Sequence, residues 1–425
     1  MLDILRSISS LLLAILFLVL GHGLFTTLIG VRAGLEGYAT ETTGAIMSAY
    51  FLGQIIGVFW GRRVVRAVGH IRAFAAFAAL VSILPLAHAY LVEPWAWALF
   101  RMAGGASLIG LFIVTESWIN SRATNLTRGR VLSIYMITYY GSLGGGQFLL
   151  NVGDPLAPDL FVLASALFSL AIVPVALTQS QAPAPVPKIQ FRLLDLYRLS
   201  PLAVIGSISA GLTNAAFLGM GPVFARDIGL PLSDIAWFMG LVILGGMALQ
   251  WPVGRVSDRV DRRIVIVTVS ATIVAAGMGV LVGAEHGRQW LFVSAVLFGG
   301  GMYAMYPICT AHAHDHVSED QRVDAAGGLM IIYGIAATVG PLLASAVMGQ
   351  VGPSGLFEQV MVVQVLLILF ALYRVYARRR GVMAVVKRRF LHIPRSTPVI
   401  AALADEPAPP ESTESRTDSM RTSQP

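Results

Sequence analysis

Cysteine is nearly absent. Cys309 stands alone in 425 residues, which excludes an intramolecular disulfide and a thiolate metal cage built by this chain. Charge is scarce too: Asp, Glu, Lys and Arg make up 12% of the residues, against about a quarter in a soluble domain. A charged, water-facing surface is therefore excluded. Also missing are a phosphate-cradling glycine loop, an H-E-x-x-H pair and a glycine–serine nucleophile elbow. Covalent catalysis and nucleotide-driven work have no site, so the chain reads as no enzyme, and no cofactor is expected. Lysine occurs only as Lys188 and Lys387 among 30 basic residues, a bias that points to a GC-rich, bacterial coding sequence.

What is present is apolar. Hydrophobic residues make up 56% of the chain, and the mean hydropathy is +0.72. The formal charge of +7 lies in short clusters between apolar runs, not along one face, so the basic residues read as topology signals and nucleic acid is not an expected partner. The partner that this composition predicts is membrane lipid. Arg6 followed by apolar residues resembles a signal peptide. The run continues to Ile29, however, beyond the length of a signal h-region, and reads as a retained first span.

Runs of about 20 apolar residues suffice to cross a ~30 Å hydrocarbon layer. The sequence predicts them at Ser7–Ile29, Thr40–Gly61, Ile71–Leu91, Trp95–Trp118, Val131–Leu150 and Leu160–Leu177. Six more follow at Pro201–Phe224, Ser233–Val253, Ile264–Gly283, Trp290–Ala311, Ala325–Gly349 and Leu356–Tyr376. The expected class is an all-α polytopic membrane protein, with twelve transmembrane helices in two pseudo-symmetric six-helix bundles. The expected divisions are a first bundle at 1–178, a cytoplasmic linker at 179–199, a second bundle at 200–376 and a tail at 377–425. In that tail, RRRGVMAVVKRRF suits anionic headgroups, and the Pro/Ser/Thr/Glu stretch from Pro394 predicts disorder.

Repetition supports the division into halves. The segment Gly240–Val267 runs from an apolar stretch into a charged elbow and out again, and a relative, Gly53–Phe74, precedes it by about 192 residues. Tyr140-Gly141 recurs as Tyr333-Gly334, 193 residues on. If the amino terminus is cytoplasmic, Arg6, Arg62, Arg63, Arg66, Arg72, Arg122, Arg128, Arg130, Lys188, Arg192, Arg198, Arg255, Arg259, Arg262, Arg263, Arg322 and the basic tail fall on one side. Only Arg32, Arg226 and Arg288 fall on the other, so the positive-inside rule predicts both termini in the cytoplasm.

The second elbow, Gly254-x-x-x-Asp258-Arg259-x-Asp261-Arg262-Arg263, is similar to the loop signature G-x-x-x-D-R-x-G-R-R of the major facilitator superfamily, with Asp261 where the family has glycine. The first elbow departs further: Arg66 stands in place of the acid, followed by Gly69, His70 and Arg72. Glu116-Ser117, Arg128-Gly129-Arg130, Tyr135-Met136, Tyr139-Tyr140 and Gly146-Gln147 resemble the YcaD-type branch of that superfamily. The resemblance implies a secondary active transporter that moves a small solute by alternating access, with proton coupling as one option. It also implies a cytoplasmic gate drawn from Arg62, Arg66, Arg72, Gly254, Asp258, Arg259, Arg262 and Arg263. A transporter-fold receptor or scaffold without net transport is the alternative, and a cluster that merely stops translocation is the plainer reading of the elbow.

Spans one, four, seven and ten line the pore in that superfamily, which groups the remaining candidates. Arg101 resembles the family's R-x-x-x-G, and at helical spacing Arg101, Gly105, Leu108, Phe112 and Glu116 share one stripe. Arg101 either anchors an anionic or polar group or snorkels to the interface; Glu116 either carries a proton or pairs with Arg122 or Arg130. His22, with Thr26 beside it, is a proton exchanger or a helix-packing group. Asn214, Tyr303, Tyr306 and Cys309 complete the cavity candidates, with helix packing as the alternative for each. His312, His314 and His316 alternate, which scatters them around a helix axis, so a solvated loop is expected there and no metal site. The glycine runs GSLGGG and GGGMYAM suit helices that slide, or simply static packing. The G-P-x-x-G-G antiporter motif is absent from span five.

Overall fold

Apolar runs that leave no backbone polar group unpaired in lipid can fold only as helices or closed barrels, and this chain takes the helical solution. The structure, a computed structural model, describes residues 2–122, 127–177, 193–318 and 321–377. The linker stretch 178–192, the tail 378–425, and Glu319 and Asp320 beside the histidine-rich run lie outside the described residues.

The first half consists of α1 (Leu2–Leu35), α2 (Thr40–Val68), α3 (His70–Tyr90), α4 (Pro94–Arg122), α5 (Arg128–Phe148), a short 3-10 turn (Leu149–Val152), α6 (Asp159–Leu170) and α7 (Ile172–Ala176). After the short α8 (Leu193–Leu199), the second half comprises α9 (Pro201–Asp227), α10 (Leu232–Arg259), α11 (Arg262–His286), α12 (Arg288–His314), α13 (Arg322–Val351) and α14 (Gly355–Ala377). α1, α2, α4 and α10 overrun the predicted spans by more than a turn at an end, because hydrogen-bonded backbone continues past the hydrocarbon. No strand occurs among the described residues.

Eleven of these crossings are long and apolar enough to span a membrane, α6 and α7 together making one. The remaining expected span, α5, is as long as α3 but begins at Arg128 and Arg130 and ends in a glycine run. Flanked by α1 and α10, it presents less of itself to lipid and tolerates a more polar composition.

The packing repeats between halves. α2 packs on α4 as α10 does on α12, α3 on α4 as α11 on α12, α1 on α5 as α9 on α13, and α3 on α6 as α11 on α14. Across the halves, α2 meets α13 and α5 meets α10, the two contacts expected of a pseudo-two-fold axis. Small residues set the closest approaches: a Cβ at Gly53 would lie 2.9 Å from the Cα of Met102, and one at Gly245 would lie 2.8 Å from the Cα of Val296.

Two ends can be distinguished, a termini end bearing the start of α1 and the ends of α7 and α14, and an opposite end bearing the short loops after α1, α3, α9, α11 and α13. At this opposite end the halves interlock. The Ser48 hydroxyl donates to the carbonyl of Thr338 at 2.6 Å. Ser345 fills the space beside Gly44, Glu41 lies against Gly349, and the Arg226 guanidinium, paired with Asp227, lies against Gly34. Phe148 and Trp237 meet edge to face at 4.7 Å. Toward the termini end a cleft of about 460 Å³, counting its open mouth, lies between α2 and α13, lined by Ile55, Val58 and Phe59 on one side and Gly327, Met330 and Ile331 on the other.

Candidate functional site

Between the halves lies a cavity of about 860 Å³, counting its open mouth, within the range of small-molecule sites. Gln54 and Tyr333 line both this cavity and the α2–α13 cleft, so the two spaces adjoin and lead toward the termini end. Eight helices contribute to its wall. α1 supplies His22, Thr26 and Thr27; α2 supplies Tyr50, Phe51 and Gln54; α5 supplies Tyr139, Tyr140 and Gln147; α4, α12 and α13 supply Arg101, Tyr303 and Tyr333; α9 and α10 supply Leu218, Gly219 and Met239.

Arg101 is the charged residue of this wall. It lies two turns into α4, roughly 10 Å below that helix's start at 1.5 Å per residue, and is 3% exposed. Its guanidinium carbon stands 4.5 Å from the Tyr50 ring centre and 6.0 Å from that of Phe25, cation–π distances that partly replace lost hydration. Nη2 reaches the Met47 sulfur at 3.7 Å, and Nε is buried with no hydrogen-bond partner among the described residues.

Tyr50 is itself held in place. Gln54 Nε2 donates to its hydroxyl at 3.0 Å, and His22 Nε2 lies 3.3 Å from that oxygen. Thr26 Oγ1 stands 3.4 Å from His22 Nδ1, and the His22 ring stacks on Tyr50 at 5.4 Å. A connected line, Thr26–His22–Tyr50–Gln54, thus runs from α1 to α2 beside Arg101. On the other flank Gln147 ties α5 to α1. Its Nε2 donates to the carbonyls of Gly23 and Leu143, both at 3.1 Å, and its oxygen accepts from the Thr27 hydroxyl. Tyr140 meets Tyr303 edge to face at 5.3 Å, joining the two halves at the cavity.

Of the residues singled out from sequence, His22, Thr26, Arg101 and Tyr303 come together here, whereas Phe112, Glu116, Asn214 and Tyr306 do not line the cavity. Phe112 packs on Tyr139 at 5.8 Å. Glu116 is fully buried and accepts from the Tyr135 hydroxyl at 2.7 Å. The Asn214 amide donates to Ala210 one turn back at 2.5 Å, and Tyr306 meets Tyr333 at 5.1 Å. Cys309 is buried against Gly206. Sequence reading did not single out Tyr50 and Gln54. Their i, i+4 spacing as polar breaks in an apolar helix was the available signal.

The elbows occupy the termini end. Arg262, 2% exposed, reaches Asp315 at 2.8 Å through Nε and Asp258 at 3.9 Å through Nη2. This ties the α10–α11 turn to the end of α12. Asp261 caps α11 by accepting from the Arg263 amide at 2.9 Å, so its carboxylate turns the chain where the superfamily signature has glycine. Gly254 is buried and Arg259 exposed. In the first elbow the turn is Gly69, at φ 84°, with Arg66 and Arg72 exposed and Arg62 half-buried. The histidine-rich run does not form the expected loop. It continues α12 through His314, with His312 buried and its carbonyl 2.7 Å from His316 Nδ1, and no metal-ligand cluster occurs among the described residues.

Comparison with known proteins agrees with this architecture. The family model described as Major Facilitator Superfamily matches residues 11–286 and again 203–404. The chain is 25% identical to the MFS-type transporter YE1530 of Yersinia enterocolitica over 83% of this chain and 91% of that one. It is 24% identical to the MFS-type transporter YcaD of Escherichia fergusonii over 86% and 95%. The crystal structure of the nucleoside transporter NupG superimposes with a TM-score of 0.71 at 14% identity, covering 88% of this chain and 99% of that one. With repeated bundles, a cavity between them and a family match over most of its length, this chain belongs to the Major Facilitator Superfamily.

Proposed function

We propose that the protein is a secondary active transporter of a bacterial inner membrane that moves a small solute by rocking two six-helix bundles about the central cavity. The observation that carries this reading is the polar cavity itself: a buried arginine, a histidine and a line of hydrogen-bonded side chains, all between halves that interlock at the end opposite the termini, where Ser48 of α2 meets Thr338 of α13. An intramembrane cation is expensive and belongs to a wet or ligand-filled space. On the orientation that the basic residues favour, the interlocked end faces outward and the cavity faces the cytoplasm, an inward-facing arrangement. Arg62, Arg66, Arg72, Gly254, Asp258, Arg259, Arg262 and Arg263 then form the cytoplasmic gate, whose second half is preassembled around Arg262.

Proton coupling, in this reading, runs through His22 in the cavity or Glu116 behind it. NupG carries nucleosides, and the likeness to it extends to fold alone, so it supports a small organic solute without naming one. The test is solute counterflow into proteoliposomes with the purified full chain, alongside Arg101→Ala. Saturable uptake abolished by the substitution supports transport. Saturable binding with no flux under any ion gradient refutes it and leaves the receptor reading.

A further inference from the structure

The geometry points to a solute class: we propose that the cavity takes a small organic monoanion with a planar, aromatic body, its carboxylate or equivalent oxyanion held by Arg101. That this anion is carried across the membrane rests on the function proposed above; the binding preference does not.

The charge balance of the wall comes first. Among the described residues Arg101 is its one charged residue, and no aspartate or glutamate of that set lines it. Glu116, on the same helix, faces away to the Tyr135 hydroxyl. A buried cation lacking a counter-charge is costly, and the economical solution is for the ligand to bring it. A cationic ligand would meet uncompensated like charge, and a dianion would bury a second negative charge with nothing opposite. One negative charge matches.

The shape of the donor set is the second point. The guanidinium lies over the Tyr50 ring, and Tyr50 is held in turn by Gln54 and His22. Nε is unpartnered among the described residues, and Nη2 touches only a thioether, a weak acceptor. A guanidinium edge with unspent N–H groups suits the two oxygens of a planar carboxylate.

The third point is the remainder of the wall. Phe51, Tyr139, Tyr140, Tyr303 and Tyr333 surround the space with ring faces and edges, and the Tyr140–Tyr303 pair is already at edge-to-face distance. Such a wall favours another ring over an aliphatic chain.

Four probes separate these elements: benzoate, benzamide and benzylamine share a ring and differ in charge, while acetate keeps the charge without the ring. Binding to the purified full chain is followed by isothermal titration. Benzoate is expected to bind about tenfold or more tighter than benzamide or acetate, and benzylamine not at all. Arg101→Gln is expected to weaken benzoate roughly 10- to 100-fold while leaving benzamide unchanged, and Arg101→Lys to retain part of the preference. Equal binding of benzoate and benzamide, binding of benzylamine, or no saturable benzoate binding at millimolar concentration each overturns the proposal. The charge series on the unmodified protein decides the matter even where Arg101→Gln does not fold. Anion-selective binding without flux would sink the transport reading alone, whereas Arg101-independent flux of a neutral or cationic solute would sink this one alone.

Discussion

Gly44 in α2 offers a way to weigh the interlock at the end opposite the termini. An added Cβ there would lie 2.8 Å from the carbonyl oxygen of Pro341 and would also strike the Ser345 side chain. Ser345 can rotate, but the Pro341 carbonyl belongs to α13 and moves only with the helix. Gly44→Val therefore acts as overpacking of the closed seam, which costs about 1–3 kcal/mol. If the halves separate there in a second state, that state carries no such penalty, and the equilibrium shifts by about 5- to 150-fold. The assay is a spin–spin distance between Glu93→Cys and Gln289→Cys, exposed positions on opposite halves at this end, in a Cys309→Ala background. A new, longer distance component is expected. Gly141→Val is the control, because nothing lies within 4 Å of its added Cβ. A distance distribution unchanged by Gly44→Val, with thermal stability also unchanged, would refute both the tightness of the seam and its role as a gate.

Two further substitutions address what holds the cavity and the elbow. Asp315→Ala strips buried Arg262 of its 2.8 Å partner and should cost about 3 kcal/mol, read as a lower unfolding temperature; Asp258→Asn, at 3.9 Å and partly exposed, should cost below ~1 kcal/mol. Equal effects would contradict that ranking. Gln147→Leu removes two hydrogen bonds between α5 and α1 and one within α5 and should destabilise by about 2–3 kcal/mol; unchanged thermal unfolding would show those bonds to be replaceable.

The sequence by itself determined the number and order of crossings, because a helix in lipid satisfies its own backbone and needs only a local run of apolar residues. It also carried the repeat, through the elbows and the Tyr140/Tyr333 pair. Even α5, too polar to qualify by apolarity, was marked by its position between two clear spans. Which polar side chains share a space was decided only by tertiary structure. Glu116 lies on the same sequence stripe as Arg101, yet it turns to Tyr135, while Tyr50 and Gln54 from another helix face the arginine. A helix of this kind has a weak apolar moment and can be rotated without changing what lipid sees. Its orientation is set by close approaches such as Gly53 on Met102 and Gly23 on α5, and those depend on residues far away in the chain.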